Sequence, residues 1–213
     1  MKAKLKYVFE EYIKRPNYVV FHPFDSFEDL KRYKKGKMSV ALTFIFLFLL
    51  LRVLQFQYNG FIVNDNNLKD LNSLAEMLSA GLIIALFVIG NWSVTTLMSG
   101  KGTMKEILMV VGYALFPVVI LGYPGIILSN LIGQNEVGLY NLYIGVSWFF
   151  TGWTLFMGIL NIHEYGLGKT IAAFLLTIVA MLVMVFVGLL FFDLIQQVIT
   201  FIRMIWEELS LRL

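Results

Sequence analysis

The chain has 213 residues, of which 59% are hydrophobic and 15% are charged. Soluble domains average roughly 45–50% apolar and about 25% charged residues, so this composition excludes a water-soluble protein and assigns the apolar excess to lipid. The absence of cysteine excludes disulfides, thiolate metal sites and a cysteine nucleophile, and the formal net charge of +3 is small but unevenly distributed.

The first predicted element is a basic segment, residues 1–37, which precedes the first long apolar run. Leu5, Val8 and Tyr12 recur at helical spacing, and a second helix is expected after Pro23, where Ser26 with Asp29 three residues later resembles a capping box. We therefore expect short amphipathic helices here. Ten lysine and arginine residues so close to a membrane are attracted to anionic lipid. The segment either only sets the topology or also docks a partner.

Five apolar runs follow, each long enough to cross the hydrocarbon core, which takes about 20 residues of helix. The runs are too long for strands, and no alternating pattern suggests a barrel. The predicted fold is therefore an all-α, polytopic membrane bundle, residues 38–192. Pro117, Pro124 and Gly125 interrupt the third run. The predicted spans are 38–58, 77–98, 107–131, 139–160 and 170–192.

Lysine and arginine in the flanks predict the orientation, because cytoplasmic loops carry an excess of both. Thirteen basic residues lie on the side of the N-terminus, including Lys101, Lys105 and Lys169 in the loops after the second and fourth spans. The other side carries only three, which are Lys69, Arg203 and Arg212. We expect the N-terminus inside, the C-terminus outside and an odd number of crossings.

The end of the chain, residues 193–213, is predicted to form an amphipathic helix that continues from the fifth span on the outer side. Such a helix either lies in the interface plane or docks on a partner. Arg203 and Trp206 are candidate partner contacts. The apolar stripe consists of Ile195, Val198, Ile199, Ile202, Ile205, Trp206 and Leu209.

No catalytic, cofactor-binding or metal-binding constellation is predicted, and the chain is not expected to be an enzyme. The two histidines, His22 and His163, have no second histidine at ligand spacing. His163, Glu164 and Tyr165 are expected to form a solvated or interfacial cluster in an inner loop. Residues 99–103 lack the first glycine and the preceding strand of a phosphate-binding loop, so a tight turn is predicted, with Thr103 capping the next helix.

Arg52 is the ionisable residue inside a predicted span, and such residues are functional candidates. It lies about 21 Å along the first span at 1.5 Å per residue. It can snorkel outward beside Gln55 and Gln57. Two other interpretations stay open, which are a pair with Asp193 or Glu76 and a role in transport.

Other polar residues in the spans favour helix–helix contacts over a substrate site. A transporter usually shows paired acids deep in its spans or two matched broken helices, and neither pattern is evident here. Asn91 and Trp92, near the inner end of the second span, are expected to face Tyr113 across the bundle. Side-chain hydrogen bonds of this kind join helices in membranes.

Several segments taken together resemble the Yip family of Ypt/Rab-interacting membrane proteins, and most closely its bacterial branch. The resemblance covers nearly the whole chain, through the elements HPFD, NW, GKGT, GYAL-P and IHEY in order. It implies five spans with a cytosolic N-terminus. The bacterial branch has no established activity, and its genes tend to lie beside those of carbohydrate ABC importers. The long acidic N-terminal region of many eukaryotic members is missing here, so Rab binding is not carried over.

We therefore expect a non-enzymatic accessory or scaffold protein of the bacterial plasma membrane, associated with the permease of a carbohydrate ABC importer. Membrane lipids, another membrane protein or a second copy are the expected partners, and no nucleic acid is. The alternatives are a lipid-active organiser that shapes or scrambles the bilayer and, third, a small-solute transporter. The candidate partner contacts are Lys101, Thr103, His163, Glu164, Tyr165, Arg203 and Trp206.

Overall fold

The computed structural model describes residues 6–7, 9–64, 66–67 and 71–211. All regular secondary structure in this part of the chain is helical, which confirms the predicted all-α class. Leu5 and Val8, used above to predict an N-terminal helix, lie outside the described residues. The α-helices are α1 (Arg15–Phe21), α2 (Pro23–Arg32), α3 (Met38–Tyr58), α4 (Ser73–Leu97), α5 (Met104–Ala114), α6 (Phe116–Ser129), α7 (Val137–His163) and α8 (Leu167–Ser210). A π-helical turn at Glu10–Lys14 precedes α1, and a 3-10 turn at Gln134–Glu136 precedes α7.

Five segments of the described chain are long and apolar enough to cross a membrane, as predicted. They are α3, α4, α5 with α6, α7 and α8. Helix α4 begins before the predicted residue 77 because the Asn72 side chain caps it, accepting the Ala75 N–H at 3.1 Å. The turns 99–103 and 163–166 share the N-terminal end of the bundle, and residues 130–136 lie at the opposite end. Which end faces the cytoplasm stays a prediction.

The third span is broken at Leu115, between α5 and α6. Pro117 has no N–H, so it cannot donate to the carbonyl of Tyr113 one turn earlier, and the α-helical ladder is interrupted there. Pro124 lies inside α6 without ending it. The interruption predicted at Pro117 is confirmed, whereas the one predicted at Pro124 and Gly125 is wrong, because α6 continues through both residues.

The broken third span occupies the centre of the bundle. In its most apolar stretch 67% of the residues are buried, against 6% in α8, because α5 and α6 pack on α3, α4 and α7. The approach of α3 to α5 needs a glycine, since a Cβ at Gly112 would lie 2.5 Å from the Cβ of Ala41. Small residues at such crossings let two helices pack closely in a membrane.

Helix α8 runs for 44 residues without interruption, so the predicted fifth span and the predicted C-terminal helix form one element. Its first half packs against α4. Every residue from 185 to 211 is exposed. Residues 189–196 contain no glycine or proline that could end the helix, so it continues past the bundle.

The N-terminal segment folds onto one end of the bundle and shares its hydrophobic core. Phe27 of α2 is fully buried, and its ring approaches Gly158 of α7, where a Cβ would lie 3.0 Å from Cζ. At the end of the segment, the Lys37 backbone N–H donates to the Tyr113 hydroxyl at 3.1 Å. Helices α1 and α2 therefore turn Val19, Val20 and Leu30 toward the protein as well, while Phe21 and Phe24 stay exposed.

Candidate functional site

Two turns and one lysine form a hydrogen-bonded polar site at the N-terminal end of the bundle. One turn joins α4 to α5, the other joins α7 to α8, and the lysine comes from α2. We call this arrangement the two-turn cluster. Its members are Lys31, Gly100, Lys101, Gly102, His163, Glu164 and Tyr165.

The first turn is determined by the end of α4 and by the cap of α5. Ser99 adopts a left-handed φ of 57°, and the Gly100 N–H donates to the carbonyl of Thr95 at 2.7 Å, so α4 ends tightly. Thr103 then starts α5 with a capping box. Its hydroxyl accepts the Glu106 N–H at 3.3 Å, and the Glu106 carboxylate accepts the Thr103 N–H at 2.7 Å. The predicted tight turn and cap are both present.

The two turns touch through glycines. A Cβ at Gly100 would lie 2.5 Å from His163 Nδ1 and 2.6 Å from the Tyr165 hydroxyl oxygen. A Cβ at Gly102 would lie 2.7 Å from His163 Cε1. Real Cβ atoms do not come so close, so both positions need glycine for proximity to the ring.

His163 is buried, with 1% of its surface exposed, and the expectation of a solvated or interfacial histidine is wrong. The reason is that α7 extends three residues past the predicted end, to His163, so that the imidazole ring packs against Gly102. The Gly102 N–H donates to Nδ1 at 3.2 Å, which assigns the ring proton of a neutral imidazole to Nε2. Nε2 has no hydrogen-bond partner among the described residues.

Tyr165 stacks on the His163 ring, with centroids 5.2 Å apart and planes 25° from parallel. Its hydroxyl lies within donor distance of two carbonyls at the end of α4, those of Thr95 at 3.2 Å and Met98 at 3.3 Å. The Lys169 ammonium lies 4.4 Å from the centre of the Tyr165 ring. Burial raises the pKa of the Tyr165 phenol, which keeps it protonated as a donor. Tyr165 therefore ties α4 to the turn before α8.

Glu164 joins three segments of the chain. It has a left-handed φ of 54° at the end of α7, and its carboxylate oxygens accept from Lys31 at 2.8 Å and from Lys101 at 2.5 Å. The hydrogen bond from Lys101 and then that from Lys31 lower the pKa of the Glu164 carboxyl to about 2. The side chain is 45% exposed, so water screens both ion pairs.

A second cluster of charged residues, which was not predicted from the sequence, joins the described residues around Glu11 to Lys37. The Glu11 carboxylate pairs with Arg15 at 2.8 Å and with Lys37 at 3.0 Å. Lys37 Nζ also donates to the Tyr7 hydroxyl at 3.0 Å, and this bond, followed by that to Glu11, raises the pKa of Lys37. The only sequence signal was the Glu11–Arg15 spacing of four residues.

The hydrogen bonds and ion pairs of the two-turn cluster hold α2 and the two turns together, and we call this set of contacts the latch. Two lysines neutralise the Glu164 carboxylate, and the Gly102 N–H occupies His163 Nδ1. Neither group is therefore free to act as a base toward a nucleophile. Lys101 and Glu164 remain accessible for contact with a partner. Contact through the His163 or Tyr165 ring requires the latch to open, because both are buried.

The polar residues within the spans are arranged differently from the prediction. Asn91 is fully buried and its Nδ2 donates to the Thr177 hydroxyl of α8 at 3.1 Å, whereas Tyr113 bonds to Lys37. Trp92 is exposed. The expected facing of Asn91 and Trp92 toward Tyr113 is therefore wrong, because residues 91 and 92 point to different sides of α4. The predicted role of Asn91 in joining helices is confirmed, with α8 as its partner.

Arg52 is exposed and forms no ion pair with the acidic residues that the structure describes. Asp193 is instead bonded to Gln197, whose Nε2 donates at 3.1 Å. Glu76 and Arg52 line the same cavity of about 290 Å³ without direct contact. The pairing of Arg52 with Asp193 or Glu76 is thus not formed in the described chain.

Arg203 and Trp206 lie on the part of α8 that extends beyond the bundle. Trp206 is 73% exposed, and the apolar stripe predicted for this region is exposed along its whole length. The structure places these residues far from the two-turn cluster, at the other end of a helix about 66 Å long. The candidate contacts therefore form two separate surfaces.

Comparison with known proteins identifies one family. The family model described as Yip1 domain matches residues 17–191, which include all five spans up to the extension of α8. No curated protein and no solved structure matches the chain. Among the described residues, no group of three or more histidine, aspartate or glutamate side chains could hold a metal ion.

Proposed function

This chain belongs to the Yip1 domain family of multi-pass membrane proteins, and we propose that it is a non-enzymatic accessory protein that packs against another integral membrane protein. The observation that carries the proposal is the exposed apolar extension of α8, residues 193–211. The family resemblance makes the permease of a carbohydrate ABC importer the first candidate partner.

The length of α8 supports a protein partner over lipid alone. Its 44 residues extend about 66 Å, while the hydrocarbon core is about 30 Å thick. Even a tilt of 40°, the upper end of the usual range, leaves about 50 Å along the membrane normal. Part of the apolar surface therefore lies outside the hydrocarbon, where a hydrophobic partner surface stabilises it.

The sides of the extension differ in chemistry. Ile202 and Trp206, one turn apart, are both exposed on the apolar stripe, whereas Gln196 lies on the polar side. An amphipathic helix of this kind packs its apolar face into a groove through residues spaced three or four apart. Trp206 is the expected anchor, because tryptophan is enriched among residues that dominate binding energy.

A lipid-active organiser is less well supported. That hypothesis needs two amphipathic helices that are free to enter the bilayer. In the structure α2 turns Phe27 and Leu30 into the protein core, so the N-terminal helices expose a smaller apolar surface, which includes Phe21 and Phe24, than the extension of α8 does.

The test is affinity purification of the tagged full chain from native membranes in mild detergent, with co-purifying proteins identified by mass spectrometry. Permease subunits are expected in a fixed ratio. Ile202→Glu with Trp206→Glu should reduce their recovery by at least about tenfold, the effect of losing 1.4 kcal/mol of binding. Gln196→Glu is the matched control, because it adds a carboxylate on the polar side.

Recovery of the wild-type chain alone or as a homo-oligomer contradicts the proposal. Equal recovery of the permease with the double variant and with Gln196→Glu contradicts the assignment of the contact to α8.

A further inference from the structure

Two cavities meet at Arg52. A polar cavity of about 290 Å³ lies toward the opposite end of the bundle, and an apolar cavity of about 420 Å³ lies deeper between the helices. Arg52 and Trp148 line both, so the two cavities adjoin, and together they have the size of a ligand pocket, about 300–1,000 Å³. None of this belongs to the two-turn cluster or to the extension of α8.

The depth of the site matches the layers of a membrane leaflet. Glu76 lies about 4.5 Å from the start of α4, and Arg52 lies about 9 Å from the end of α3, both counted from the same end of the bundle. The apolar cavity continues deeper, along Phe48, Ile84 and Leu155. From the end of the bundle inward, the site thus presents an anion, a cation and an apolar chamber.

Both charges at the site lack partners among the residues that the structure describes. The Arg52 guanidinium and the Glu76 carboxylate line the polar cavity, and neither forms an ion pair there. The Asn59 side-chain oxygen, also in the lining, is buried without a hydrogen-bond donor. A guanidinium binds phosphate in a bidentate manner, while a carboxylate and an amide oxygen accept from an ammonium. This order of charges is complementary to a zwitterionic headgroup.

The buried hydroxyl of Thr151 indicates a bound ligand independently of the two charges. Thr151 of α7 lines the apolar cavity and is 6% exposed, and its Oγ1 has no hydrogen-bond partner in the described chain. Buried polar groups are nearly always hydrogen-bonded, so an unpartnered hydroxyl next to a cavity indicates a ligand acceptor. In a phospholipid the ester carbonyls follow the phosphate toward the tails. Thr151 lies one turn deeper than Trp148, which lines both cavities, and is placed to donate to such a carbonyl.

We propose that this site binds one phospholipid of the phosphatidylethanolamine class from the leaflet at that end of the bundle. The phosphate lies on Arg52, the ammonium on Glu76 and Asn59, an ester carbonyl on Thr151, and an acyl chain fills the apolar cavity. Snorkelling of Arg52 to the lipid surface, without a bound lipid, is the competing interpretation. The inference does not depend on the partner proposed for α8.

The test measures retained lipid on the full chain. The purified, delipidated protein is reconstituted in vesicles of equimolar phosphatidylethanolamine, phosphatidylglycerol and phosphatidylcholine, re-extracted in mild detergent and analysed by native mass spectrometry. One phosphatidylethanolamine per chain is expected. Arg52→Gln should lower its retention about tenfold, the scale of a lost charge-assisted contact. Arg32→Gln, at the other end of the bundle, is the matched control and should retain lipid as the wild type does.

Two further variants test the headgroup contact and the apolar cavity separately. Glu76→Gln should remove the preference for phosphatidylethanolamine over phosphatidylglycerol. Ser79→Phe, which fills the apolar cavity from its exposed edge, should abolish retention of all three lipids. Equal retention by Arg52→Gln and Arg32→Gln overturns the proposal. An unchanged preference in Glu76→Gln overturns the assigned headgroup.

Discussion

Lys31 Nζ lies 2.8 Å from Glu164 Oε1, across a separation of 133 residues. The bond joins α2, which precedes the first span, to the turn between the last two spans. Lys101 pairs with the other oxygen of the same carboxylate. One side chain thus connects three parts of the N-terminal end of the bundle, and its removal should loosen them together.

Replacing Glu164 by glutamine should free α2 without unfolding the bundle. Both lysines lose their anionic partner, while the buried Phe27 remains packed. We expect trypsin to cleave after Lys34 and Lys35 about two- to fivefold faster, the modest effect of losing exposed ion pairs. Glu28→Gln is the control, because it breaks only the Arg32 pair within α2. Equal cleavage rates in both variants would contradict the latch.

The contribution of Glu164 should disappear in acid. Its folded-state pKa, about 2, is below the ordinary value of 4.5, so the stabilisation is fully present above pH 4.5 and is lost as the pH falls toward 2. The difference in melting temperature between wild type and Glu164→Gln should therefore be constant from pH 7 to about pH 5 and should shrink steadily below it. A difference as large at pH 2 as at pH 7 would contradict this account.

Gly100→Ala should destabilise the protein, because the new methyl group meets the His163 ring, the Tyr165 hydroxyl and the carbonyl of Thr95 within 3 Å. We expect a loss of about 1–3 kcal/mol in the free energy of unfolding, typical of overpacking. Thermal unfolding in detergent measures it. Gly168→Ala is the control, since nothing lies within 4 Å of its Cβ, and it should unfold at the wild-type temperature or slightly above.

Removal of residues 193–213 should leave the bundle intact, because the described residues of this extension are exposed and make no part of the core. The melting temperature of the remaining chain should match that of the full chain, whereas recovery of the membrane partner should fall to background. A large drop in melting temperature would show that the extension stabilises the bundle itself.

The orientation can be tested directly, since the chain has no cysteine. Lys105→Cys and Gln134→Cys place single thiols at opposite ends of the bundle, both at exposed positions. An impermeant maleimide added to intact cells should label Gln134→Cys, and should label Lys105→Cys only after permeabilisation. The reverse pattern would invert the predicted topology.

Hydropathy predicted the five spans, and the helix-breaking residue Pro117 predicted the interruption of the third, because spans and interruptions both depend on local sequence. The cap at Thr103 was predicted for the same reason. The latch was not, since the pairing of Lys31 with Glu164 depends on how distant turns meet. The burial of His163 was also missed, because a histidine beside a glutamate in a loop is typical of a solvated site.

The partner of Asn91 was missed for a related reason. Sequence spacing gives the side of a helix on which a residue lies, but not which neighbour packs there. Thr177 carried no signal of its own within an apolar run. Arg52 was recognised as unusual, yet the cavities around it arise from the packing of five helices and have no counterpart in the sequence.

The unbroken passage of α8 out of the bundle has a consequence for how its outer part becomes ordered. In an isolated peptide in water the first helical turn is costly to form, because it fixes several residues for a single hydrogen bond. Here that turn already exists within the span, held by packing against α4. The outer residues need only propagate a helix that the membrane part has nucleated. A partner therefore meets a surface that is already shaped, and the entropy of ordering is largely removed from the binding step.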